Sequence, residues 1–202
     1  NSKNHQAKQF IDFGNWTLLG KTLERTKASI YDAPIISTNK KYLKQVKQHL
    51  RKNKINKYKI VVEPAKRNTA PAILSTALIK DIPDHQPLMF FTADHLIEKM
   101  SIFNKEINKN KPNLNEENIF VFGIKPKSPT SEYGYFLTKK IKGNINKVTR
   151  FIEKPKEAKA RQIIKKKGYW NSGMFYLRKD SIINNFKKHQ PKSYRNCLNA
   201  VK

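Results

Sequence analysis

What most constrains the fold of this chain is an alternation, repeated over residues 16–124, between apolar residues at helical spacing and short, continuous apolar runs. Leu18, Leu19 and Leu23 fall at helical spacing within 16–29, and APIIS at 33–37 reads as a strand. Tyr42, Leu43, Val46 and Leu50 return to the helical period, and β-branched YKIVV at 58–62 ends at Glu63-Pro64. Thr69 can cap a third helix, with Pro71 in its first turn and a stop before Pro83. LMFF at 88–91 is apolar on both faces, as a strand covered by helices should be, and a helix over about 100–110 precedes IFVFGI at 119–124. Such order implies an α/β class, a doubly wound and mostly parallel sheet with helices on both faces and ligands at the carboxyl ends of its strands.

After Pro126 the rhythm shortens to extended pieces at 133–137, 145–153 and 174–177, with helices expected over 156–166 and 180–188. No Gly/Ser/Pro-rich linker intervenes, so residues 1–202 read as one domain. The 42 Lys and Arg against 15 Asp and Glu give a net charge of +27, which invites a nucleic-acid reading. Yet the cations are 35 Lys and only 7 Arg, beside 20 Asn and 21 Ile, and they are spread along the chain. That pattern fits the bias of an A+T-rich coding sequence better than a base-reading surface built on guanidinium forks. A basic, non-enzymatic nucleic-acid module is therefore the rival reading and nucleic acid is not the expected partner. No apolar run approaches the roughly 20 residues that cross a bilayer, and residues 1–8 lack the apolar stretch of a secretory leader. The single Cys197 can make neither an internal disulfide nor a zinc knuckle, and the expected setting is reducing and cytoplasmic.

Four segments carry candidate chemistry. Asp94 ends the most apolar strand, where a hard oxygen ligand suits Mg²⁺ and a turn or capping aspartate is the alternative; His95 beside it suits hydrogen-bonded packing or orientation of the carboxylate. Glu153 and Lys154 close an extended run at Pro155, the acid suited to sugar hydroxyls and the ammonium to a phosphate, or both to a solvated strand end. Between Glu63 and Pro71, Arg67, Asn68, Thr69 and Ala70 lead into a helix N-terminus, which suits an anion or the edge of a heterocycle as well as ordinary capping. YWNSGMF at 169–175 combines aromatic faces with Asn171, which suits a sugar ring or a packed core.

Taken in order, KQF, EPAKRNTAPA, TADH, FGIKP, EYGY, FIEKP and YWNSGMF resemble the mannose-1-phosphate guanylyltransferase family of sugar-nucleotide pyrophosphorylases, from about Lys8 to Lys202. The resemblance implies a Rossmann-like fold of the nucleotide-diphospho-sugar transferase type, and transfer of GMP from GTP to mannose 1-phosphate with release of pyrophosphate. It implies Mg²⁺ on Asp94, Lys8 and Lys154 on the phosphates, and Gly134, Glu153 and Asn171 on the hexose. Glu63, Arg67, Asn68, Thr69 and Ala70 would then lie on the guanine or ribose side. Another sugar-1-phosphate nucleotidyltransferase is the near alternative. The familiar bacterial form is often fused to a cupin isomerase domain, which would follow Lys202, and a homo-oligomer fits the same picture.

The chain departs from the family pattern in specific places. The glycine-rich signature GGxGxRLxPLS is absent, so the expectation is a fragment truncated at its N-terminus, short of a second metal-binding carboxylate and weakly active or inactive alone. Ala7 replaces Pro before Lys8, Thr92 replaces Pro before Ala-Asp-His, and Ser131-Glu132 replaces Thr-Gly before Tyr133.

Overall fold

The computed structural model describes residues 7–63 and 69–201. The chain divides into two compact units, Asn1–Ile119 with Leu177–Lys202, and Phe120–Tyr176. The class is α/β, as the alternating periods require.

In the first unit, helix α1 (Leu18–Arg25) begins where Thr17 accepts a hydrogen bond from the Gly20 N–H at 3.0 Å, so it starts two residues inside the apolar stretch. Strands β1 (Ile35–Asn39) and β2 (Lys59–Glu63) pair in parallel, Ile35 opposite Lys59 through Asn39 opposite Glu63. Helix α2 (Leu43–Lys52) packs on β1, and α3 (Thr69–Ala77) packs on both strands. The apolar sides of α1 and α2 meet in a core of Phe10, Leu19, Leu23, Val46, Leu50 and Ile55, against which Ala7, Ile36, Ile60 and Ala93 pack. Burial of such side chains contributes roughly 1.5–3 kcal/mol each.

Strand β3 (Pro87–Phe90) is half-buried along its length, less enclosed than its apolar sequence suggests. Phe91 just beyond it meets Tyr31 edge-on at 5.6 Å and Phe103 of α4 (Met100–Asn110) at 6.0 Å. The C-terminal segment returns to this unit as α6 (Lys179–His189) and α7 (Pro191–Val201), which pack on α3 and on each other. Buried Lys179 ties α6 down, its Nζ donating to the Ile82 carbonyl at 2.6 Å with Asp84 at 3.1 Å. The sequence reading stopped at 188 and missed α7, although Tyr194, Cys197, Leu198 and Val201 fall at helical spacing; none of its residues is fully buried.

The second unit contains most of β4 (Ile119–Ile124), then β5 (Tyr135–Lys142), β6 (Ile145–Ile152), α5 (Glu157–Lys165) and most of β7 (Tyr169–Arg178). Antiparallel pairing enters here: β5 pairs with β6, and with β7 through Tyr135 opposite Trp170. The last strand is a correction to the sequence reading, which placed only 174–177 in extended form; the segment YWNSGMF lies wholly within β7. Tyr135 is fully buried with Ala160 and Ile163 of α5. Its hydroxyl donates to the Thr130 carbonyl and accepts the Thr130 N–H, both at 3.0 Å.

Candidate functional site

In the first unit, the carboxyl ends of β1, β2 and β3 carry the candidates. Asn39 donates to the Glu63 carbonyl at 3.3 Å and caps the next 3₁₀ turn by accepting the Lys41 N–H, while Ser37 donates to the Glu63 carboxylate at 2.5 Å. The β1–β2 register puts these side chains together. Thr69 and Ala70 are exposed in the first turn of α3, whereas Arg67 and Asn68 lie outside the described residues.

Asp94 is exposed past β3, with the His95 ring 4.0 Å from its Oδ1. The loop itself is anchored from behind. Ala93 packs on the Phe10–Leu50 core, and the His95 carbonyl accepts from the guanidinium of buried Arg25. Burial holds the Arg25 guanidinium below its ordinary value, against an opposing influence of Tyr31. Exposed Lys8 begins a 3₁₀ turn whose flanking residues Ala7 and Phe10 sit on that same core. One hydrophobic cluster thus supports the segments bearing Lys8 and Asp94.

Among the described residues no group of three His, Cys, Asp or Glu side chains gathers as a metal cage. Mg²⁺ does not require one, since it is commonly held by one or two carboxylates together with substrate phosphates and water. Exposed Asp94 fits that donor set.

The second unit brings three of its sequence candidates together. The Gly134 carbonyl accepts the Asn171 N–H at 2.8 Å. A Cβ on residue 134 would stand 2.8 Å from Glu153 Oε2 and 2.8 Å from the Phe151 ring, so only glycine lets the carboxylate lie against this backbone. Asn171 uses its Oδ1 to accept the Gly173 N–H at 3.1 Å, a local turn inside β7 that needs the left-handed φ of 71° at Gly173. That leaves the Asn171 amide hydrogens available to a ligand. Tyr133 and Trp170, with ring centroids 5.0 Å apart, flank the same stretch, a pairing that strand spacing alone did not reveal.

Lys154 follows Glu153 with a φ of 41°, uncommon outside glycine. The left-handed turn breaks strand alternation, which would otherwise send the two side chains to opposite faces. Pro155 is buried behind it while Glu153 and Lys154 remain exposed. Arg25 and Tyr133 are the residues that sequence reasoning did not single out. Arg25 resembles any basic residue closing an amphipathic helix, and its burial shows only when the loop after β3 covers it.

The model of the nucleotidyl transferase family matches residues 3–202. The alginate biosynthesis protein AlgA of Pseudomonas fluorescens is 32% identical, the match covering 98% of this chain and 42% of that protein. Mannose-1-phosphate guanylyltransferase of Salmonella muenchen is 34% identical, over 99% of this chain and 44% of its own. The chain therefore spans less than half the length of these relatives. A crystal structure described as mannose-6-phosphate isomerase from Helicobacter pylori superposes with a TM-score of 0.84 at 30% identity, covering 96% of this chain and 75% of that one. With a match along almost its whole length and an α/β fold in common, this chain belongs to the nucleotidyl transferase family.

Proposed function

We propose that this chain is the nucleotidyltransferase region of an enzyme that makes GDP-mannose from GTP and mannose 1-phosphate. A phosphate oxygen of the sugar phosphate attacks the α-phosphorus of GTP, the bond to the β-phosphate oxygen breaks, and pyrophosphate leaves. No covalent link to the protein is needed, so the side chains position the reactants and neutralise charge.

The observation that carries the reading is the grouping of Gly134, Glu153 and Asn171. A carboxylate, an amide with unused hydrogens and a bare backbone converge beside the Tyr133–Trp170 pair, a donor and acceptor set suited to hexose hydroxyls next to an apolar ring face. Lys154 would meet the sugar phosphate and Lys8 the nucleotide phosphates as point charges. Glu63, held by Ser37, and the start of α3 with Arg67, Asn68, Thr69 and Ala70 would lie toward guanine or ribose. Asp94 would hold Mg²⁺ together with the phosphates, and the ion would supply charge neutralisation on the transferring group. The name of the alginate biosynthesis relative supports a place in polysaccharide precursor synthesis; a cytoplasmic setting, a homo-oligomer and a cupin isomerase in a longer chain belong to the same reading as proposals.

The test is a side-by-side titration of the full-length protein with mannose 1-phosphate, glucose 1-phosphate and GTP, ATP, UTP and dTTP, with pyrophosphate release measured for each pair. Preference for GTP and mannose 1-phosphate is expected. A preference for another pair reassigns the substrate, and retention of RNA at physiological salt with no sugar-phosphate binding would replace the enzyme reading by the nucleic-acid one.

A further inference from the structure

Asp94 is exposed, yet the backbone on both sides of it is held from the interior by α1. The Thr22 hydroxyl donates to the Leu18 carbonyl at 3.0 Å and has the Thr92 carbonyl at 3.5 Å. Arg25 donates through one terminal nitrogen to Thr22 Oγ1 at 3.3 Å and through the other to the His95 carbonyl. Between the Thr92 carbonyl that Thr22 approaches and the His95 carbonyl that Arg25 holds lie Ala93, packed on the core, and Asp94.

Arg25 is 4% exposed and no carboxylate pairs with it among the described residues. Its Nε and the Thr92 hydroxyl are buried without hydrogen-bond partners. A cation buried without an acid is costly, and an apolar side chain of similar length would fill the same space at lower cost. What only a guanidinium supplies is a planar fork that grips a hydroxyl and a backbone carbonyl at once.

We propose that Arg25 is a positioning residue, its buried fork and Thr22 fixing the backbone that flanks Asp94 so that this carboxylate is presented in one orientation to a metal-bound nucleotide. This rests on the functional reading of Asp94 given above. The two unpartnered polar atoms act against this packing, since each would gain a hydrogen bond to water in a looser loop, so the grip on the His95 carbonyl and the packing of Ala93 must offset that cost.

The experiment compares wild type with Arg25→Met, Arg25→Lys and the near-isosteric Thr22→Val by amide hydrogen exchange over residues 92–97 and by Mn²⁺-dependent retention of GTP. Arg25→Met is expected to speed exchange in this loop by about tenfold or more while α2 keeps wild-type rates, and to weaken Mn²⁺-dependent retention about fivefold. Arg25→Lys should recover part of both and Thr22→Val should move both in the same direction as Arg25→Met, by less. In an Asp94→Asn background the Arg25→Met change should cost no further metal-dependent retention, because the group it aims is gone. Wild-type exchange in both Arg25→Met and Thr22→Val, or a full additional loss on top of Asp94→Asn, overturns the proposal. Wild type that retains no GTP with Mn²⁺ overturns the functional reading instead, and the exchange rates then decide alone whether Arg25 holds the loop.

Discussion

Gly134 and Glu153 stand so close that a single added methyl on residue 134 would lie 2.8 Å from Glu153 Oε2. The clash is with the end of a flexible, exposed side chain and with the Phe151 ring, not with backbone, so the fold can absorb it by moving Glu153 aside. Gly134→Ala is therefore expected to leave the thermal midpoint within a few degrees of wild type. It should weaken mannose 1-phosphate binding by about tenfold or more, the scale of a lost hydrogen bond to a charged group. Unchanged affinity by calorimetry removes Glu153 from sugar recognition.

Lys154 combines an unfavourable backbone with a charge placed for a phosphate. In the left-handed region a Cβ costs about 1–2 kcal/mol relative to glycine. Lys154→Gly should thus be more stable than Lys154→Ala by about 1 kcal/mol in urea melts, while in the full-length protein both lose about two or more orders of magnitude in nucleotidyl transfer. Equal stability of the two variants shows that the turn relaxes, and wild-type transfer in either shows that the ammonium is not used.

Asp94 is exposed, with the His95 ring 4.0 Å from its Oδ1, so it adds little to folding. Asp94→Asn keeps the shape and removes the charge. The expected result is a thermal midpoint close to wild type and, in the full-length protein, about a hundredfold or greater loss of transfer with a shallower response to added Mg²⁺. A variant that transfers at the wild-type rate places the metal elsewhere.

His49 of α2 packs beside Phe10, with Thr17 Oγ1 at 3.3 Å from its Nδ1. Burial, then Lys52, pulls its pKa below the usual 6.5, with Asp12 opposing. The unfolded chain consequently binds this proton more tightly than the folded one. The stability so contributed is complete above about pH 6.5 and is lost as pH falls through that value toward the lowered folded pKa. Thermal melts from pH 7.5 to 5 should fall more steeply for wild type than for His49→Gln. Parallel curves would assign the acid sensitivity to other groups.

The strand and helix alternation was legible because burial leaves a periodic mark on sequence: β1, β2, β3, β4 and α2 fall within a residue or two of where their apolar periods place them. Helix α7 carries the same kind of mark, Tyr194, Cys197, Leu198 and Val201 at helical spacing, but none of these side chains is fully buried, and the sequence reading passed over it. The extent of β7, by contrast, was hidden. Asn171, Ser172 and Gly173 are turn-forming residues, and here they make their turn inside a ten-residue strand whose partners supply the extended geometry.

Sequence by itself determined the α/β class, the family and the chemical kinds of the candidate residues, since these follow from side-chain type and order. Tertiary structure alone decided that Glu153 lies against the backbone of Gly134, that Lys154 turns left-handed and that Arg25 reaches the loop of Asp94. Each of those depends on contact between segments distant along the chain or on a φ angle. A linear pattern of hydrophobicity records which side chains are buried, but not what they are buried against.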